Sequence, residues 1–155
     1  MNRITLCLGI LLCCLVSYSQ TKKHSDIHFS FTAKRINTGI TVNATLHNPY
    51  ADTVYFLSTS CDGLPYSLQL DTAKFTASAR FVCNASWPVI LKIPPAGKLD
   101  FAAYLTSRKK ENELKLGFDF YEVGPSFDTN VQGLNVHNRE AAHRNVIWAN
   151  VCRFE

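Results

Sequence analysis

One stretch, from Ile40 to Cys61, constrains the fold more than any other part of the chain. Its first eight residues, ITVNATLH, alternate apolar and polar side chains, and a period of two is typical of a strand with one buried face. HNPYAD follows with the Asn, Pro and Asp that favour a turn. TVYFL, at residues 53–57, is rich in β-branched and aromatic side chains, as strands are. We therefore expect an antiparallel hairpin in an all-β domain.

The rest of the chain repeats this signal at intervals of about ten residues. We expect further strands at residues 26–34, 66–70, 87–93, 98–105, 113–122 and 145–154. Residues 94–97, PPAG, are the strongest turn signal between them. About eight short strands without a long helical period predict an immunoglobulin-like antiparallel β-sandwich.

The first nineteen residues are expected to be a secretory signal peptide, and residues 20–155 a single domain. An apolar run from Ile4 to Val16 is shorter than the ~20 residues that cross a bilayer, and Ser17 and Ser19 suit cleavage before Gln20. We therefore expect an exported protein, periplasmic or extracellular. The alternative is a lipid anchor at Cys13 or Cys14, although neither follows the small residue of a bacterial lipobox.

Three of the six cysteines remain after that cleavage, namely Cys61, Cys83 and Cys152. Export places them where thiols oxidise, and an odd number allows one disulfide and one leftover thiol. Cys61 and Cys83 lie beside the turn-forming Asp62-Gly63 and Asn84, so they are the expected pair. Cys152 is expected to be a small buried apolar residue in the last strand.

The hypothesised binding surface is the end of the sandwich that carries these turns. Its candidate residues are Asp62, Gly63, Asn84, Trp87 and His137, the last within the long segment 123–144 that lacks strand periodicity. A disulfide from Cys61 to Cys83 would hold part of this surface in place and so lower the cost of ordering it on binding.

No sequence motif for catalysis, a metal or a cofactor is present. We find no nucleotide-binding loop, zinc cluster or hydrolase elbow, and expect neither an enzyme nor a cofactor. The net charge of +4 is dispersed, which argues against nucleic acid as a partner. We expect a monomeric module that binds a protein or a glycan and touches a membrane only if lipidated.

Two short runs carry a resemblance to a known family. NATLHNP at residues 43–49 and IPPAG at residues 93–97 resemble signatures of the immunoglobulin-like bacterial accessory domains of the intracellular-proteinase-inhibitor type. The resemblance covers about Ile40 to Leu105. It implies an alternative function, a protease inhibitor that presents the loop around Cys61 to an active site.

Overall fold

The protein is described by a computed structural model over residues 26–37, 39–59, 63–78, 88–108, 111–127 and 143–154. Eight strands of four residues or more lie in these ranges: β1 (His28–Ile36), β2 (Gly39–His47), β3 (Val54–Thr59), β5 (Phe75–Ser78), β6 (Pro88–Ile93), β7 (Lys98–Ser107), β9 (Gly117–Val123) and β10 (His143–Trp148). Three two-residue strands, β4 (Leu68–Gln69), β8 (Glu113–Leu114) and β11 (Cys152–Arg153), and one helical turn, α1 (Gly63–Tyr66), complete the described elements.

Two antiparallel sheets pack face to face, as the all-β sandwich prediction requires. The first has the order β1-β2-β7-β5, and the second has the order β10-β9-β3-β6 with β4 also paired to β9. The order β1-β2-β7-β5 matches the A-B-E-D order of one immunoglobulin sheet, and β10-β9-β3 matches the G-F-C order of the other. However, β6, which lies beside β3, comes after β5 in the chain rather than before it, so the exact immunoglobulin topology is not confirmed.

A cluster of phenylalanine rings fills the space between the sheets. The Phe118 ring lies 5.7 Å from Phe29 and 5.6 Å from Phe101, both of the first sheet, measured between ring centroids. On its own sheet it contacts Phe56 and Phe120. The alternating apolar residues of β1, β2, β7 and β9 face this core, and Phe75 of β5 is buried there as well.

The prediction that residues 40–46 and 53–57 pair as a hairpin is wrong, although both strands exist. β2 pairs with β1 and β7, whereas β3 pairs with β6 and β9. The turn after His47 therefore carries the chain from one sheet to the other. The alternation could not distinguish the two outcomes, because the apolar faces of β2 and β3 point into the same core from opposite sheets.

The buried side chain of Asn48 connects that turn to the PPAG turn, which also crosses between the sheets. Its Nδ2 donates to the carbonyls of Asp52 (2.8 Å), Ile93 (3.1 Å) and Pro94 (3.0 Å), and its Oδ1 accepts from the amide of Tyr50 (3.0 Å). The two runs singled out in the sequence, NATLHNP and IPPAG, are thus joined in space by one residue.

The closing strand expected over residues 145–154 is interrupted by one extra residue. Trp148 pairs with Gly117 and Cys152 pairs with Leu114, so residues 149–151 lie opposite residues 115–116. Such a bulge reverses which side chains face inward beyond it. Val151 is accordingly 52% exposed and Phe154 is buried, and Cys152, expected to be buried, is only half-buried and carries a free thiol.

Candidate functional site

Two different strands, β3 and β4, pair with the same edge of the central strand β9, and the gap between them forms an opening in the second sheet. β3 pairs with β9 at Tyr55–Val123 and Phe56–Glu122, whereas β4 pairs with its other end at Leu68–Phe118 and Gln69–Gly117. Between these two ladders the chain leaves the sheet and forms α1. It rejoins where the amide of Asp119 donates to the carbonyl of Ser67 at 2.7 Å.

A pocket of about 180 Å³ lies at this opening. It is named here the β3–α1 pocket and is lined by Leu57, Ser58, Thr59, Gly63, Tyr66, Ser67 and Tyr121. Pockets that enclose a drug-sized molecule measure roughly 300–1,000 Å³. The β3–α1 pocket is therefore suited to one ring or one side chain of a larger partner.

The hydroxyl of Ser58 has no hydrogen-bond partner within the described residues, although Ser58 is only 8% exposed. Leaving a buried hydroxyl unpaired costs about 1–3 kcal/mol, and such groups are uncommon in native structures. Gly63 lies directly against it, because a Cβ added to Gly63 would come within 2.5 Å of both Ser58 Oγ and Thr59 Oγ1. The absent side chain of Gly63 is what lets these hydroxyls approach α1.

Two tyrosines supply the aromatic surface of the pocket. Tyr66, the last residue of α1, is 62% exposed. The strand expected over residues 66–70 would place Tyr66 on one face with Leu68 and Leu70. Only Leu68 and Gln69 are extended, however, and the helical turn α1 directs Tyr66 outward. Tyr121, from β9, is half-buried and packs with Leu57 and Val123 in a small apolar cluster on the outer face of the sheet.

A charged network next to the pocket supports Tyr121. The carboxylate of Asp119, which is buried, accepts from Arg144 Nε at 2.8 Å and Nη2 at 2.9 Å, and from Gln69 Nε2 at 3.2 Å. The Arg144 guanidinium also lies 5.6 Å from the centre of the Tyr121 ring. These hydrogen bonds to Asp119, followed by its negative charge, raise the pKa of Arg144, so this cation persists throughout the physiological range.

Two further aromatic residues, Tyr50 and Trp148, lie outside the pocket. Tyr50 is half-buried against the core, and its hydroxyl is hydrogen-bonded to Asp26, so it is not part of an open surface. Trp148 is 54% exposed on β10, beside Gly117 and 5.0 Å from Lys115 Nζ. Trp148 does not line the β3–α1 pocket.

Of the binding residues named from the sequence, Gly63 lies in the pocket wall. Cys61, Asp62, Cys83, Asn84, Trp87 and His137 lie outside the described residues. In the chain, Thr59 is the last described residue before Cys61 and Pro88 directly follows Trp87, and these two described residues are paired across β3 and β6. Ser58, Thr59 and Tyr121 were not anticipated, since each reads in the sequence as an ordinary strand residue.

Neither a metal site nor a membrane-spanning helix is evident in the part of the chain that the structure describes. No group of three or more His, Cys, Asp or Glu side chains there could hold an ion. No helix among the same residues has the length and apolar character needed to cross a bilayer.

Comparison with known proteins gives no family for this chain. No protein-family model matches it, and no curated protein is significantly similar to it. The resemblance to proteinase-inhibitor domains therefore stays a prediction.

Proposed function

We propose that this protein is an exported, non-enzymatic binding module that recognises a protein or glycan partner at the end of the sandwich bearing the β3–α1 pocket. The observation that carries the proposal is the buried hydroxyl of Ser58, which has no hydrogen-bond partner among the described residues and lies in a residue that lines a pocket with two tyrosines. A polar group of the partner would complete its hydrogen bonding.

The construction of the pocket favours binding to a preformed surface. Tyr121 is fixed by its strand and by Arg144, and Ser58 and Thr59 belong to a strand paired with β6. Tyr66 is held by the short turn α1, in which Ser67 Oγ donates to the carbonyl of Gly63 at 3.2 Å. Groups already ordered before binding lose less conformational entropy on association.

The composition of the pocket favours recognition over catalysis. Its described lining offers hydroxyl groups and tyrosine rings but no carboxylate, imidazole or thiol that could act as a general base for a nucleophile. Export rests on the apolar N-terminal run and is part of the proposal.

The proposal is tested by displaying the purified protein to peptide and glycan arrays together with two variants. Tyr66→Ala removes the exposed ring of the pocket, and Trp148→Ala removes an equally exposed ring outside it. We expect the wild type and Trp148→Ala to bind the same spots and Tyr66→Ala to lose them, because exposed aromatic anchors dominate binding energies.

The opposite pattern, with Tyr66→Ala binding as the wild type does, would show that the partner docks elsewhere. Thermal melts of all three proteins would establish that each is folded, since both substituted side chains are largely solvent-exposed.

A further inference from the structure

We propose that the group entering the β3–α1 pocket is a single neutral saccharide ring of a glycan. This inference rests on the proposed function and adds to it the chemical class of the ligand. It is argued from the charge, the size and the polarity of the pocket in turn.

The charge of the pocket argues against an ionised ligand group. Those of its lining residues that the structure describes carry no charged side chain. Arg144, which lies against the ring of Tyr121, is paired with Asp119 through two hydrogen bonds. A carboxylate or ammonium group entering the described pocket would lose its hydration without gaining a counter-charge, which is costly.

The polarity of the pocket argues against a purely apolar side chain. A Leu or Phe side chain of a peptide would leave the Ser58 hydroxyl without a partner, and the penalty of burying it would remain. A ligand with its own hydroxyl groups removes that penalty. Ser58 lies beside Gly63, and both residues line the pocket.

A sugar ring has both of the surfaces that the pocket requires. Its hydroxyl groups project from its edge, where Ser58, Thr59 and Ser67 supply hydrogen-bonding oxygens. Its C–H groups form flatter apolar faces, which can lie on the exposed ring of Tyr66 or on Tyr121. Tyrosine combines an apolar ring with a polar hydroxyl and suits such a mixed surface. The volume of about 180 Å³ limits the inserted part to one ring.

The experiment is an NMR titration of the full, isotopically labelled protein with separate probes. The saccharide probes are glucose, galactose, mannose and N-acetylglucosamine, and the peptide probes are the blocked amides of leucine, phenylalanine and serine. We expect at least one saccharide to shift the amides of Ser58, Gly63 and Ser67 with millimolar affinity, and the peptide probes to leave them unmoved.

Three variants separate the contributions of ring and hydroxyl. Tyr66→Ala should weaken saccharide binding about tenfold, the effect of losing one aromatic stacking contact, and Tyr66→Phe should weaken it less. Trp148→Ala should leave it unchanged. Ser58→Ala should weaken binding while leaving the melting temperature equal or higher, because it removes a buried hydroxyl that has no partner in the described part of the chain.

The outcomes distinguish this inference from the proposed function. Shifts at the pocket with a peptide probe and with no saccharide would overturn the saccharide assignment and leave the binding module standing. Shifts with neither class would overturn the assignment of the pocket as the binding site as well. Saccharide binding that is unchanged in both Tyr66→Ala and Ser58→Ala would place the sugar elsewhere on the protein.

Discussion

Asn48 is fully buried, and four hydrogen bonds surround its side-chain amide. The carbonyls that it satisfies belong to two turns, one after β2 and the other after β6. In the second turn Ala96 adopts a left-handed conformation, with φ of 49°, and its amide donates to the carbonyl of Tyr50 at 2.9 Å. A single polar side chain therefore fixes the geometry of both chain crossings.

Replacing Asn48 with Ala is expected to lower the free energy of unfolding by about 3 kcal/mol, because buried carbonyls and an amide lose their partners. Urea denaturation measures this as a lower transition midpoint at an unchanged m-value. The matched control is Asn43→Ala, on the exposed face of β2, which should change stability by less than about 0.5 kcal/mol. Equal effects of the two substitutions would contradict the structural role of Asn48.

At the level of elements, β9 connects most of the second sheet. It pairs with β10 along one edge and with β3 and β4 along the other. Asp119 in its middle points to the outer face and is paired with Arg144 of β10, whose side chain is about half exposed. A second ion pair, Arg153 with Glu113, links β11 to β8 across 3.8 Å and is far more exposed.

Arg144→Ala is expected to lower the melting temperature more than Arg153→Ala does. Among the described residues, the first substitution leaves the buried carboxylate of Asp119 with Gln69 as its one side-chain partner, whereas exposed pairs contribute little. Circular dichroism melts of the two variants make the comparison. Because the pKa of Arg144 is raised, its contribution is complete below the ordinary arginine pKa and is lost only as the pH rises through the raised value. The difference should therefore not change across neutral pH.

A larger loss of stability in Arg153→Ala would show that the solvent exposure of these two ion pairs does not predict their relative contributions to stability. A difference that disappears within the neutral range would show that a group other than the guanidinium controls the interaction.

The sequence predicted most strands because alternation reports directly which residues face the core. β1 and β2 form a hairpin in which Ile36 pairs with Gly39. Three features escaped prediction from the sequence for physical reasons. Alternation does not reveal which sheet a strand joins, as β2 and β3 illustrate. The break between β8 and β9 does not interrupt the alternation of apolar residues, which continues through Leu114, Leu116, Phe118 and Phe120. The bulge opposite that break inserts one residue, and no turn-forming or other local sequence pattern marks it.

Of the residues that the structure describes around the pocket, Gly63 alone was predicted from the sequence as a candidate binding residue. The pocket depends on the interval between two ladders on one edge of β9, which is a property of strand pairing rather than of any short motif. Ser58 in particular follows the inward face of β3 after Val54 and Phe56, and nothing in its neighbours along the chain indicates that its hydroxyl would lack a partner.

For the whole molecule, the predicted export and disulfide can be tested by intact mass with thiol counting. We expect a mature chain that begins at Gln20, carries one disulfide between Cys61 and Cys83, and has one thiol, that of Cys152, which reacts with an alkylating reagent after denaturation. The half-buried position of Cys152 in the described structure implies slower alkylation before denaturation than after it.

Three reactive thiols would contradict the expected disulfide between Cys61 and Cys83. An N-terminal cysteine bearing acyl chains would instead identify a membrane-anchored form, since lipidation converts a soluble chain into an anchored one.

The double role of Asn48 also has a kinetic consequence. Its partners Ile93 and Pro94 lie 45 and 46 residues away along the chain, so neither crossing turn can complete its hydrogen bonds until the other has arrived. Contacts between distant residues must overcome a large loop-closure entropy and slow folding. We therefore expect the two sheets to reach their final geometry in one concerted step, with refolding on the millisecond-to-second scale of β-sandwiches.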